Sequence, residues 1–173
     1  MEGGSALIQV YTGSGKGKTT AALGLAIRAA GAGLKVYICQ FLKGKYHCEL
    51  TSLQKLKNIK VEQFGRTCFM RGSPSKKDIG LAGCGLEAVK KAIKTKKYNI
   101  IVLDEINVAL KLKLLKLKDV ISIIKNAPKK VELILTGRHA HPKILKMADL
   151  VSYMQDRKHY YEKGIKARRG IEF

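Results

Sequence analysis

One stretch of the chain, Thr12-Gly13-Ser14-Gly15-Lys16-Gly17-Lys18-Thr19-Thr20, has residue types suited to holding linked phosphates. Its glycines let the backbone turn tightly, so that successive N–H groups point inward at phosphate oxygens. Lys18 adds a point charge for the terminal phosphates, and Thr19 supplies a hydroxyl for Mg²⁺. A helix following the loop presents its N-terminal dipole to the same anion. The general pattern G-x-x-x-x-G-K-[ST] is missed by one residue, because Thr12 stands where the first glycine belongs and Gly13 comes one position late. Gly17-Lys18-Thr19 is intact, with a strand pattern before it and a helix pattern after it. That context argues for a P-loop and against a chance glycine-lysine turn.

A P-loop site needs an acid at the end of a neighbouring strand, and Ile100-Ile101-Val102-Leu103-Asp104-Glu105 supplies one. A carboxylate there holds Mg²⁺ directly or through its water shell, opposite Thr19. Most such sites transfer a γ-phosphoryl group and need a placed water or acceptor hydroxyl. Spacing alone identifies no base for that step; Glu105 is one candidate among many, so the chemistry stays open at this point.

The elements around these residues alternate. Ala6 to Tyr11 reads as a strand, and Thr20 to Ala30 as a helix stopped by Gly31 and Gly33. Val36 to Leu42 is an apolar run of strand length, and Val61 to Phe64 a shorter one. Arg66 to Asp78, with Gly, Ser and Pro and little periodicity, reads as a long loop. Leu86, Val89 and Ile93 share one face of a basic helix. Asn99 to Asp104 and Val131 to Thr136 are buried strands, the latter closing at Gly137-Arg138. Ile144 to Ala148 suggests a short helix and Leu150 to Met154 a last strand. The run Leu110 to Lys118 reads either as a basic amphipathic element for a membrane or acidic partner, or as two short helical pieces around a turn. The second reading is preferred. Strands that are apolar throughout imply an α/β fold, P-loop NTPase-like, with a mostly parallel sheet and helices on both faces. No repeat or linker divides the chain, so a single domain over residues 1–173 is expected.

Lys plus Arg number 34 against 13 for Asp plus Glu, a formal charge of +21. Such a field attracts nucleotides, nucleic acid, acidic proteins or membrane surfaces; a solvated, lysine-rich exterior explains it equally well. Aromatic residues are only 6%, and basic-aromatic interleaving of the kind that stacks bases is missing. Nucleic acid is therefore a weak partner candidate. No uncharged apolar run is long enough to span a bilayer, and the N-terminus lacks the order of a signal peptide, which points to the cytoplasm. Cys39, Cys48, Cys68 and Cys84 have neither C-x-x-C nor metal-ligand spacing and read as reduced thiols.

Taken together, several stretches resemble the P-loop family of corrinoid adenosyltransferases over nearly the whole length. They are Tyr11 to Ala22, Gln40-Phe41-Leu42-Lys43-Gly44, Val102-Leu103-Asp104-Glu105 and Thr136-Gly137-Arg138. The tail adds Ala148-Asp149-Leu150-Val151, Lys158-His159, Gly164, Ala167-Arg168 and Gly170-Ile171. The shortened loop is that family's own form. The resemblance implies that a Co(I) corrinoid attacks the 5′ carbon of ATP, forming a cobalt–carbon bond and releasing inorganic triphosphate. The loop then grips the leaving group, and no protein base is needed because the nucleophile belongs to the corrinoid.

By that resemblance Gly13, Ser14, Gly15, Lys16, Gly17, Lys18, Thr19 and Thr20 cradle the triphosphate, with Thr19 and Glu105 contacting Mg²⁺. Lys18, Arg138 and Phe69 are the implied catalytic residues. Phe69 corresponds to the aromatic that enters the corrinoid pocket and displaces the lower axial ligand; packed on the core, it would be ordinary loop structure. A reduced flavoprotein resembling flavodoxin is the implied electron donor, and a homodimer the implied assembly. The sequence departs from the family in having no tryptophan, with Arg71 where some relatives place one, and in Ser14 for a commoner asparagine. Only a few residues precede the first strand run, fewer than the extension that covers the site in longer relatives. A nucleic-acid-stimulated P-loop ATPase and a non-catalytic nucleotide-binding regulator are the alternatives.

Overall fold

Every apolar run expected to form a strand does so, and all six strands join one parallel sheet in the computed structural model, which describes residues 6–66 and 73–173. The strands are β1 (Leu7–Thr12), β2 (Val36–Phe41), β3 (Ile59–Phe64), β4 (Ile100–Asp104), β5 (Glu132–Thr136) and β6 (Leu150–Tyr153). Their order is β3-β2-β4-β5-β1-β6, with every pairing parallel. Helices α1 (Lys18–Gly31), α2 (Cys48–Leu53), α3 (Lys76–Lys94), α4 (Ile106–Lys111), α5 (Leu117–Lys125) and α6 (Pro142–Met147) connect them.

Side chains alternate between two cores, as the two-residue period of a strand requires. Val36 and Ile38 of β2, Ile100 and Val102 of β4 and Ile134 of β5 face α1 and α2. Tyr37, Cys39 and Phe41, then Ile101 and Leu103, then Leu133 and Leu135, face the helices of the opposite layer. Helix α1 lies close to the sheet through Ala22, Ala26 and Ala29, small residues at helical spacing. Helix α3 buries Leu86, Val89 and Ala92 and turns Lys91 and Lys94 outward. Burial pushes the Cys39 thiol well above the ordinary range, which suits a core cysteine.

Four sequence expectations need correction. Helix α1 begins at Lys18, two residues earlier than expected, because the loop runs straight into the helix without a capping side chain. Helix α3 begins inside the stretch assigned to loop: Ser75 accepts from the Asp78 N–H while the Asp78 carboxylate accepts from the Ser75 N–H, forming a capping box. Arg66 also grips Asp78 through two hydrogen bonds, of 2.6 and 3.0 Å, which ties the end of β3 to the start of α3. Strand β6 stops at Tyr153, short of Met154. Helix α2 was not anticipated at all. The leucine-lysine run resolves into the end of α4, a turn and the start of α5, with Leu114 buried. Among the described residues no helix is long and apolar enough to cross a membrane.

Candidate functional site

A parallel sheet brings all its carboxyl ends to one edge, where ligands of open α/β sheets bind. Here that edge carries the phosphate loop after β1, Lys43 after β2, Glu105 after β4 and Arg138 after β5. Each of these four strands is followed at once by a residue with positive φ: Gly13 (102°), Leu42 (62°), Glu105 (63°) and Gly137 (122°). For leucine and glutamate that conformation is strained, and such strain clusters at functional positions. Glu105 is held in it by its N–H, which donates to Thr136 Oγ1 at 2.9 Å.

The loop is pressed against the segment that follows β6. The Gly15 N–H donates to the Met154 carbonyl at 2.8 Å, and the Asp156 N–H donates to Ser14 Oγ at 3.3 Å. Gly13 has φ 102°, and a Cβ there would stand 2.3 Å from the Met154 carbonyl oxygen. Only glycine fits that position, which is why the shortened loop keeps it.

Behind the loop lies a buried polar knot centred on Asp104, which is 1% exposed. Its Oδ1 accepts from Thr19 Oγ1 at 2.8 Å and from Thr136 Oγ1 at 2.7 Å. Its Oδ2 accepts from Gln40 Nε2 at 3.2 Å and pairs with Lys43 Nζ at 2.9 Å. Gln40 is the register partner of Asp104 across β2 and β4, so its amide reaches the carboxylate directly. Burial alone would pull the Lys43 ammonium down, but Asp104, Glu49 and Glu105 reverse this and leave it above the ordinary lysine value. Burial and the neighbouring Asp104 push the Glu105 carboxyl up. Lys18 is drawn down, first by burial and then by Arg138, with Glu105 and Asp156 opposing. Its ammonium folds back onto the Gly15 carbonyl.

A cavity of about 810 Å³ opens over these groups, lined by Gly15 to Thr20, Lys43, Glu105 and Arg138 among others. A second cavity of about 490 Å³, with mainly apolar walls including Leu42, Phe64 and Leu112, adjoins it. The two share Lys43, His47, Glu105, Glu172 and Phe173. The structure thus brings together Gly15, Lys16, Gly17, Lys18, Thr19, Thr20, Glu105 and Arg138. Gly13 and Ser14 stand outside the cavity wall and fix the loop from behind, and Phe69 lies outside the described residues.

The sequence profile of the family described as "ATP:corrinoid adenosyltransferase BtuR/CobO/CobP" matches residues 4–173. The chain belongs to this family. It is 32% identical to a corrinoid adenosyltransferase of Pseudomonas aeruginosa over 169 residues, covering 96% of this chain and 83% of that one. A corrinoid adenosyltransferase of Sinorhizobium sp is 33% identical, with 96% and 80% covered. That of Escherichia coli K12 is 31% identical, with 96% and 85% covered.

Two features of this adenosyltransferase escaped the sequence reading. The ion pair of Lys43 with Asp104 is one, although Lys43 directly follows a strand end and its turn. The other is the tail, which returns to the phosphate loop: Lys16 Nζ donates to the Ile171 carbonyl at 3.0 Å and pairs with Glu172 at 3.4 Å. Hydrogen bonds from Tyr160, Arg168 and Lys16 hold the Glu172 carboxyl low, at about 2.

Proposed function

We propose that the protein transfers the 5′-deoxyadenosyl group of ATP to the Co(I) centre of a corrinoid, releasing inorganic triphosphate. The observation that carries this reading is the pair of adjoining cavities, one walled by the phosphate loop and the other mainly apolar. A nucleotide gripped by its triphosphate in the first would present its 5′ carbon to a flat, largely apolar substrate in the second. Main-chain N–H groups of the loop, Lys18 and Arg138 bind the triphosphate, and donors fixed in advance favour the charge that grows on a leaving group. No side chain need remove a proton, because none is transferred.

The residues suit Mg²⁺. The Thr19 hydroxyl donates its hydrogen bond to Asp104, which keeps the oxygen lone pairs available to a cation, and Glu105 adds a carboxylate. Both are hard oxygen donors of the kind Mg²⁺ takes alongside substrate phosphates and water. When bound, the ion neutralises phosphate charge. Asp104, with both oxygens already accepting hydrogen bonds, acts from behind by orienting Thr19.

The test is product analysis. Incubated without oxygen with Mg-ATP and chemically reduced corrinoid, the protein is expected to give light-sensitive adenosylcorrinoid and triphosphate in equal amounts. ADP and orthophosphate, formed faster with DNA or RNA, would instead establish an ATPase. A nucleotide bound but unchanged would establish a regulator.

The formal charge of +21 supports an acidic reduced flavoprotein as the physiological electron donor, since opposite fields steer encounter. Reduction by such a donor is expected to slow as ionic strength rises. A rate that holds constant from low to high salt would discard the steering.

A further inference from the structure

We propose that Lys43 is a further catalytic residue of this reaction, the cation that meets the negative charge left on the α-phosphate oxygen of the departing triphosphate. The inference rests on the reading above and assigns a role at the seam of the two cavities. Loop residues Gly15 to Thr20 line only the first cavity, so they grip the far phosphates. The bond that breaks must lie where the cavities meet. Among the described residues Lys43 is the one lysine or arginine that lines both. His47 also lines both, but burial and the charge of Lys43 disfavour its cationic form.

The main chain fixes Lys43 in place. Leu42 before it is left-handed, and its N–H donates to the Phe64 carbonyl at 3.1 Å. Gly44 after it crosses Gly65 so closely that a Cβ would lie 2.1 Å from the Gly65 carbonyl oxygen. An ammonium has three N–H donors. Asp104 takes one at 2.9 Å, whereas Glu49 at 3.7 Å is beyond hydrogen-bond length. Donor capacity therefore remains for a substrate oxygen. Asp104 does not require Lys43 for its hydrogen bonding, since Thr19, Thr136 and Gln40 already donate to it.

In the step, the Co(I) electron pair forms the bond to the 5′ carbon. The C5′–O5′ bond breaks with its electron pair remaining on oxygen. Triphosphate thus leaves with one more negative charge at its α end than it carried within ATP. Lys43 donates a hydrogen bond to that oxygen and keeps its proton.

This difference between ATP and its product supplies the test. Calorimetric titration of wild type, Lys43→Met and Lys43→Arg with Mg-ATP and with inorganic triphosphate compares the two charge states. Lys43→Met is expected to bind ATP within about threefold of wild type but triphosphate at least roughly tenfold more weakly, because the lost interaction is specific to the developed charge. Its kcat is expected to fall about 10²- to 10³-fold with little change in the KM for ATP, the range for losing one such donor. Lys43→Arg recovers part of both, and it carries the same comparison if Lys43→Met does not fold. Equal weakening of ATP and triphosphate, or a kcat within about threefold of wild type, would overturn the role of Lys43 while the function stands. Wild-type protein that forms no adenosylcorrinoid would bring down the function itself.

Discussion

Lys18→Ala is expected to lower kcat/KM for adenosyl transfer about 10²-fold, the order of loss when a group that binds and positions the substrate is removed, while the fold survives intact. The second half of this expectation follows from how little the fold gains from the Lys18 ammonium. Lys18 is only 7% exposed, and among the described residues its ammonium hydrogen-bonds only the carbonyl of Gly15 in its own loop. Burial and Arg138 both disfavour its charge and hold its pKa down. These are costs carried by the nucleotide-free protein and reversed when a polyanion arrives. Between the lowered folded pKa and the ordinary value, the unfolded chain binds more protons at this position than the folded one. Wild-type stability should therefore rise as pH climbs through that window, and Lys18→Ala should lack the rise. Thermal melting without nucleotide is expected to stay within about 2 °C of wild type near neutral pH, less than the shift produced by about 1 kcal/mol in a chain of this size. The stabilisation conferred by Mg-ATP should largely disappear. A variant that keeps wild-type turnover, or one already unfolded, would contradict the assignment.

What the sequence makes legible depends on how local the signal is. The apolar runs of β2 and β4 have no polar face, which only a sheet covered on both sides explains, and the parallel topology follows. Helix α2 escapes because six residues with Leu50 and Leu53 as the only buried pair are too short to show a period. The start of α3 was readable after all: Ser75-Lys76-Lys77-Asp78 is the S-x-x-[DE] signature of a capping box, obscured by the polar residues around it. At the site, the loop and the strand-end acids announce themselves through adjacent residues. Lys43 reaches Asp104 across 61 positions and Lys16 reaches Glu172 across 156, and no spacing rule reports contacts made only after the sheet has assembled. A lysine just past one parallel strand and an acid at the last position of the neighbouring strand are brought to the same edge by topology. That rule could have paired Lys43 with Asp104 in advance.

Asp104→Ala is expected to be the most damaging single change to stability at this edge, because it strands four donors at once. Lys43 would keep a largely buried ammonium with no close carboxylate partner, only Glu49 and Glu105 further off, while Gln40, Thr19 and Thr136 would lose their acceptor. Removing one partner of a buried ion pair costs about 3–5 kcal/mol, which in a chain of this length lowers Tm by roughly 6–20 °C. Asp104→Asn separates structure from chemistry. With its oxygen towards Thr19, its amide would point two hydrogens at Lys43 and Gln40, donor against donor. The opposite rotamer is the one the site tolerates: the oxygen accepts from Lys43 and Gln40, and the amide donates to the threonine hydroxyls. Thr19 then accepts where it formerly donated, and a lone pair that a cation would use is taken. Asp104→Asn should therefore recover much of the lost Tm yet remain slow, with a raised Mg²⁺ requirement. Recovery of activity in step with stability would show that Asp104 serves the fold alone, and that the Thr19 hydroxyl does not depend on it for orientation.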